Sequence, residues 1–309
     1  MNPVAERNVI WTPTERQQEF LSAPEREILY GGASGGGKTD SLLCCALSQV
    51  NNRAHRAIFF RRSFPQLRSA IERSHELFRP LGGVFNIQSS TWSFSSGAKI
   101  EFAFLDSPTD QWRYAGRSFN CILWDELCEW PNDSAYVYLL SRLRTTKGSG
   151  LSLEVRSSAN PLGPGSTWVR QRSKIPGDGG PSECVDEATG FHRRFIPARI
   201  DDNDHLLGSD HMRMLEAMPS AHRTALLEAV GIAFPVPCSK SSRTPNMCAT
   251  LFPSRPVGAS GAARTMDFDL LPLCFGFRTT ATVRTRFRSA RDRRRPVRGQ
   301  GRDARHATG

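Results

Sequence analysis

Residues 32–39 read Gly-Ala-Ser-Gly-Gly-Gly-Lys-Thr, which is the pattern G-x-x-x-x-G-K-T. They follow the short apolar run Ile28–Tyr30 and precede residues 41–50, whose apolar side chains recur at helical spacing. A strand, a glycine-rich turn and a helix in this order form a phosphate-binding loop. The glycines let backbone N–H groups point at a phosphate, and the helix adds its positive end. The sequence therefore predicts a P-loop that binds a nucleotide.

The positions of this loop have separate expected tasks. Lys38 is expected to reach the β- and γ-phosphates of ATP, and Thr39 is expected to hold Mg²⁺. The rest of the loop is expected to surround the phosphates, through Gly32, Ser34, Gly35, Gly36 and Gly37. A glycine-rich surface turn that matches by chance is the alternative, and the patterns on both sides of the loop disfavour it.

A second part of the site is predicted where the apolar run Cys121–Trp124 stops at Asp125 and Glu126. Ligands of open α/β sheets bind at the carboxyl ends of the strands, so both carboxylates are placed at the expected edge. Asp125 is expected to bind Mg²⁺ through its water shell, and Glu126 to polarise the water that attacks the γ-phosphate. Two solvated acids at the end of a strand are the alternative interpretation.

A polar segment, residues 157–161, follows another predicted strand. Ser158 and Asn160 are candidates there to sense the γ-phosphate and relay its loss. An ordinary Asn-Pro turn explains the same residues equally well.

Strand and helix patterns alternate over the first 200 residues, which predicts the α/β class. We expect a P-loop NTPase fold with a mostly parallel, helix-covered central sheet. Predicted strands cover 57–60, 121–124, 151–155 and 190–199, with a helix over 66–78 and an edge hairpin over 92–104. The predicted organisation is an ATPase domain at 1–200, a helical segment at 201–230 with helices near 208–218 and 220–229, and a tail at 231–309.

The net charge of +11 is concentrated in that tail. Residues 231–309 contain 14 Arg, 1 Lys, 4 Asp and no Glu, so residues 1–230 carry balanced charge. The tail is also rich in Ser and Pro and keeps no periodicity, which predicts a disordered basic segment. The total charge therefore gives no argument for a basic patch on the folded part.

Eight cysteines occur without a C-x-x-C pair, which favours buried thiols in a reducing compartment. A zinc site built from Cys121, Cys128 and Cys184 lacks the short ligand spacings, and no metal other than Mg²⁺ is expected. The amino terminus has no apolar signal core, and no window approaches the ~20 apolar residues of a membrane span. A protein of the host bacterial cytoplasm, without membrane attachment, is expected.

From about residue 12 to about residue 228, the chain resembles the large terminase subunit of tailed bacteriophages, the ATPase that drives DNA into an empty capsid. The segments that carry the resemblance are Thr12–Phe20, Leu29–Gly32, Phe60–Leu67, Trp124–Leu127, Leu140–Arg144, Ala159–Gly165 and Phe195–Asn203. Several separate matches in the same order make the resemblance specific.

The resemblance implies roles for further residues. Gln17 or Gln18 would contact adenine, and Ser158 and Asn160 would couple hydrolysis to movement. Either Arg142 or Arg144 would be an arginine finger offered to a neighbouring subunit, with a solvated helix face as the alternative. Arg61 and Arg62 would contact phosphate or DNA, with a strand-end salt bridge as the alternative.

The resemblance also implies partners, but it does not extend to the nuclease domain. The partners would be double-stranded phage DNA, the portal protein of the procapsid, the small terminase subunit and further copies in a homo-oligomeric ring. Large terminases of this type carry a nuclease domain, and we expect this chain to lack a working one, because none of its late aspartates, 267, 269, 292 and 303, follows a convincing strand. A one-base frameshift near codon 228 is our hypothesis for the loss, because the codons of Ala229–Ile232 permit Gly-Gly-Trp-Asp when they are read one base earlier.

Two rival functions remain compatible with the sequence. A helicase-like or other nucleic-acid-dependent ATPase would share both nucleotide motifs. An inert prophage remnant would have no activity, and its tail would be at most a basic arm that binds DNA.

Overall fold

The computed structural model describes residues 9–33 and 35–198, together with position 217. Its helices are α1 Glu15–Ser22, α2 Lys38–Leu47, α3 Phe64–Phe78, α4 Ser134–Leu140 and α5 Ser166–Ser173. Its strands are β1 Glu27–Gly32, β2 Arg56–Arg61, β3 Val84–Asn86, β4 Thr91–Ser93, β5 Lys99–Phe104, β6 Cys121–Trp124, β7 Glu154–Ala159, β8 Ser182–Val185 and β9 His192–Ala198.

The nine strands form one sheet in the order β3-β4-β5-β2-β6-β7-β1-β9-β8. The six strands from β5 to β9 in this order are parallel to their neighbours. Antiparallel strands flank them, with the hairpin of β4 and β3 on one side and β8 on the other. The prediction of a mostly parallel sheet with a hairpin near its edge is confirmed.

Residues 57–60 of β2 and residues 121–124 of β6 are continuous apolar runs because both faces of the sheet are covered there. Alternate residues of β2 belong to different clusters: Phe59 packs with Leu42 and Leu123 on one face. Phe60 packs with Trp124 on the other, where their rings stack at 4.9 Å between centroids. Four of the predicted buried thiols lie in these layers, at Cys44, Cys45, Cys121 and Cys128.

The strand predicted over residues 151–155 lies later in the chain than expected, because β7 runs Glu154–Ala159. All six of its residues are buried, although four of them are polar: Glu154, Arg156, Ser157 and Ser158. The Arg156 guanidinium, 1% exposed, is accommodated by donating to the carbonyl oxygens of Ala23 and Glu25 at 3.1 and 2.9 Å. Internal hydrogen bonds thus replace the apolar pattern that sequence reasoning requires of a buried strand.

Other predictions meet the limits of the described residues. The helices expected near 208–218 and 220–229 and the tail from 231 lie outside them. Five elements of the structure were not predicted from the sequence: β3, β8, α1, α4 and α5. Among the described residues, no helix has the length and apolar character needed to cross a membrane.

Candidate nucleotide-binding site

The P-loop connects the carboxyl end of β1 to the start of α2, as predicted. Its glycines are required by backbone shape, since Gly32, Gly35 and Gly37 have φ angles of 139°, 86° and 66°. A Cβ on Gly32 would also stand 2.2 Å from the carbonyl oxygen of Ala198. The loop therefore presents bare backbone; of its predicted contacts, Ser34 lies outside the described residues.

Lys38, the first residue of α2, is 6% exposed. Its ammonium donates to the Ala33 carbonyl oxygen at 2.5 Å. Burial lowers the pKa of Lys38, while the nearby carboxylates of Glu126 and Asp125 oppose that shift. The loop thus holds a cation in a place shielded from water, where its attraction for a phosphate is little screened.

Asp125 is the centre of the polar network at the carboxyl edge of the sheet, where β2, β6 and β7 end together. One carboxylate oxygen accepts a hydrogen bond from the Thr39 hydroxyl at 3.0 Å, and from Arg61 Nε at 2.7 Å. The other accepts from the Ser158 hydroxyl at 2.5 Å. The pairing of Trp124 with Ser157 across β6 and β7 brings the next residues of both strands to this point.

Glu126 adopts the left-handed backbone conformation, with φ 59° and ψ 50°. Such a conformation is strained for a residue with a side chain and is found most often at functional sites. The Glu126 N–H donates to the Ser158 hydroxyl oxygen at 3.0 Å, and the Asn160 amide donates to a Glu126 carboxylate oxygen at 2.6 Å. Burial, reinforced by the charge of Asp125, raises the pKa of Glu126.

Gln17 is buried beside the P-loop, whereas Gln18 is exposed. The Gln17 amide nitrogen donates to the Gly37 carbonyl oxygen at 3.1 Å, and its amide oxygen accepts from the Thr14 N–H at 2.8 Å. Gln17 therefore braces the loop and caps α1 at the same time. An adenine contact from either glutamine stays a prediction.

Arg142 and Arg144 lie far from this network. They flank Leu143, which bridges to Phe119 just before β6 begins, whereas Asp125 follows the carboxyl end of β6. The Arg142 guanidinium lies over the Tyr138 ring at 5.2 Å. Neither arginine reaches the site of its own chain, so a role at a phosphate requires a neighbouring subunit.

Arg61 forms a strand-end salt bridge, which was the alternative interpretation of this residue from the sequence. Its partner is Asp125, the predicted metal ligand. Its NH2 group lies 2.6 Å from a carboxylate oxygen of Asp125 and 3.5 Å from the Thr39 hydroxyl oxygen. Arg62 instead donates to the Leu105 carbonyl oxygen and lies 3.6 Å from the exposed Asp106. Sequence reasoning missed the link from Arg61 to Asp125, because it depends on β2 lying next to β6.

The residues of this edge fit Mg²⁺ and a triphosphate. Thr39 and Asp125 offer hard oxygen atoms 3.0 Å apart, which is the donor type that Mg²⁺ prefers. The Asn160 amide oxygen is buried and has no hydrogen-bond partner among the described residues. Together with the buried ammonium of Lys38, this unsatisfied acceptor indicates a site built to receive a polar ligand.

A family model described as terminase large subunit, T4likevirus-type, N-terminal matches residues 29–155. No curated protein matched the sequence. The large terminase of a thermophilic bacteriophage aligns at 15% identity and a TM-score of 0.52, covering 71% of this chain and 53% of its own length. The same protein in complex with ATP-γ-S aligns at 14% identity and a TM-score of 0.50, covering 70% of this chain and 52% of that one.

The ATPase domain of the Thermus phage P74-26 large terminase aligns at 12% identity and a TM-score of 0.50, covering 71% of this chain and 94% of that domain. At these identities, the structural matches establish the shared fold. The chain spans about half the length of the first full large terminase that it matches.

Proposed function

Because the chain belongs to the terminase large subunits, we propose that its P-loop domain hydrolyses ATP to drive double-stranded DNA into a procapsid. The observation that carries the proposal is the network that joins Thr39, Asp125, Ser158, Glu126 and Asn160 next to Lys38. In this network Thr39 and Asp125, the proposed metal ligands, lie beside Glu126, the proposed base, and hydrolysis of a γ-phosphate requires both a metal and a base. The ATP-γ-S complex of a structural relative supports ATP as the nucleotide.

Each side chain of the network has a task in the proposed reaction. Lys38 supplies a buried positive charge for the β- and γ-phosphates. Thr39, and Asp125 through the water shell of the metal, would hold Mg²⁺, which would supply Lewis-acid neutralisation of phosphate charge. Glu126 orients the attacking water and accepts its proton, and its raised pKa makes it a better base than an ordinary glutamate. Asn160 fixes the orientation of the Glu126 carboxylate.

Assembly would complete the motor. Since Arg142 and Arg144 lie at the opposite edge of the sheet, either one would act as a finger only on the site of the next subunit in a ring. The portal protein, the small terminase subunit and duplex DNA are the proposed partners. The predicted loss of the nuclease and the frameshift concern residues outside those described, and sequencing the gene and translating its alternative frame after codon 229 tests them.

ATP hydrolysis by the full chain, with and without duplex DNA, tests the proposed function beside a Glu126→Gln control. We expect hydrolysis that requires Mg²⁺ and is lost in the control. Stimulation by single-stranded DNA, with no response to procapsids, would favour a helicase-like ATPase. An inert remnant would show no rise in melting temperature with Mg²⁺ and ATP-γ-S, because a ligand that binds only the folded state must stabilise it.

A further inference from the structure

A polar cleft lies at the edge of the sheet opposite the nucleotide site, where β2 and β6 begin. We call it the amino-edge cleft. Its volume is about 370 Å³, and its lining consists of Ala54, Arg56, Ser118, Asn120, Arg144, Thr145 and Thr146. Two guanidinium groups, three hydroxyl groups and an amide therefore face one space.

The chain segments around this cleft are strongly basic. They are residues 53–56, 97–101, 116–120 and 142–154, which together contain seven Arg or Lys and only two acids. Of the acids, Glu101 is already paired with Arg117, and Glu154 is 3% exposed. The exposed charge of this edge is thus almost entirely positive, although residues 1–230 are balanced as a whole.

The positive charges of the lining are held in place without being neutralised. Arg56 NH1 donates to the carbonyl oxygens of Arg53 and His55 at 2.9 and 2.7 Å. Arg144 Nε donates to the Ser118 hydroxyl oxygen at 2.7 Å. In the described part of the chain, neither guanidinium has a carboxylate within 4.0 Å. Carbonyl partners orient a guanidinium and leave its charge free for an anion.

Three further charges surround the cleft and are exposed: Arg53, Lys99 and Lys147. None of the three forms an ion pair within the described residues. Preoriented arginines, hydroxyl donors and flexible outer basic residues are the groups that contact the phosphate backbone of a duplex. Contacts to the phosphate backbone carry no sequence information, so binding here is expected to be independent of sequence.

We propose that the amino-edge cleft and its basic border bind the phosphate backbone of double-stranded DNA. The proposal rests on the proposed packaging function, because it names the surface through which that function would hold its substrate. A second source of the same chemistry is the nucleotide of a neighbouring subunit, which an arginine finger at Arg144 would contact. The two sources differ in a simple way: only the first places duplex DNA against Lys99 and Lys147.

Acetylation of lysines, followed by mass spectrometry, tests the proposal on the full chain without nucleotide. The chain has only five lysines, and they report on different places: Lys38, Lys99, Lys147, Lys174 and Lys240. Lys174 is exposed and follows α5, which packs on β8 and β9, so it is a control within the folded domain. Lys240 reports on binding by the basic tail. The probe is a duplex of about 30 base pairs, long enough for several phosphate contacts.

We expect the duplex to protect Lys99 and Lys147 several-fold more than Lys174. We also expect Lys147→Ala to weaken duplex binding, and the matched Lys174→Ala to leave it unchanged. Combining Arg53→Ala, Lys99→Ala and Lys147→Ala should lower the slope of log affinity against log salt by about 2 to 3, since each lost phosphate contact contributes roughly 0.9.

Unchanged reactivity of Lys99 and Lys147 with bound duplex would overturn the proposal and assign DNA binding to another surface, or to the tail if only Lys240 is protected. Protection that requires ATP-γ-S and no DNA would overturn it in favour of a neighbour's nucleotide. Failure of the proposed function is visible separately, because hydrolysis and its Glu126→Gln control are measured without this surface being altered.

Discussion

Replacing Arg61 by glutamine is expected to destabilise the protein and, at the same time, to increase its affinity for Mg²⁺ and nucleotide. Arg61 Nε and NH2 lie 2.7 and 2.6 Å from the Asp125 oxygen that also accepts the Thr39 hydroxyl. The proposed mechanism assigns this Asp125 oxygen and the Thr39 hydroxyl oxygen to Mg²⁺. The guanidinium and the metal therefore compete for one carboxylate, and the variant removes the competitor.

The magnitude follows from the burial of the pair. Asp125 has a side chain that is 1% exposed, and the side chain of Arg61 is 13% exposed. Removing one partner of a buried ion pair costs about 3–5 kcal/mol. Two hydrogen bonds to Asp125 remain, from Thr39 and Ser158, so we expect a loss of about 2 kcal/mol. For a domain of this size, that loss lowers the melting temperature by about 4–8 °C.

The same free energy then appears in ligand binding. The metal restores the lost charge balance at Asp125, so affinity for Mg²⁺ with ATP-γ-S should rise by as much as about 30-fold, the equivalent of 2 kcal/mol. Scanning fluorimetry with and without the ligand measures both effects. Arg62→Gln is the matched control, because Arg62 contacts the Leu105 carbonyl and the exposed Asp106 and makes no contact with Asp125. Weaker ligand binding by Arg61→Gln would refute the competition and make Arg61 a phosphate contact.

Three further predictions test other parts of the site. The Glu126→Gln variant should become more stable relative to the wild type as the pH rises from 4.5 to about 8. The pKa of Glu126 is raised in the folded state, so ionised Glu126 destabilises the folded wild type at high pH, and this cost is absent at low pH, where the carboxyl group is protonated. An equal difference in unfolding free energy between variant and wild type at pH 4.5 and at about pH 8 would contradict this prediction. Gly32→Ala should cost more than about 3 kcal/mol in urea unfolding, because its Cβ meets the Ala198 carbonyl oxygen at 2.2 Å; Gly82→Ala, with φ 79° and no atom within 4 Å, should cost only about 1 kcal/mol. Asn160→Ala should lower kcat by about 10- to 100-fold with little change in KM for ATP, because the base loses its orienting partner; a raised KM with unchanged kcat would identify Asn160 as a binding residue.

Local sequence patterns were sufficient for the parts of the fold that lie within one segment. The P-loop could be predicted because its strand, glycines and helix are contiguous, from Glu27 to Leu47. The strands β2 and β6 could be predicted because residues 57–60 and 121–124 are buried on both faces of the sheet and are therefore apolar. Asp125 and Glu126 followed from the end of the second of these strands.

Contacts between remote segments were not predictable from the same patterns. The Arg61 to Asp125 bond joins residues 64 positions apart and depends on the order of strands in the sheet. Arg156 can be buried in β7 because Ala23 and Glu25, which are remote in sequence, supply carbonyl oxygens to its guanidinium. The amino-edge cleft could not be predicted for a third reason: acids elsewhere in residues 1–230 balance its positive charge, so the composition of this part of the chain does not reveal it.

The position of β2 has a consequence for how the two proposed sites would communicate. Arg56, at its amino end, lines the amino-edge cleft, and Arg61, at its carboxyl end, bonds to Asp125. The intervening residues are buried and paired on both sides, with β5 and with β6. Over a span of about 17 Å, such a strand cannot slip by one residue without exchanging the side chains that pack in the two clusters on its opposite faces. A change at Asp125 would therefore reach the cleft as a movement of the sheet as one body, and not as a rearrangement within it. DNA contacts at the amino edge would then shift together, which suits a motor that must move a duplex without reading its sequence.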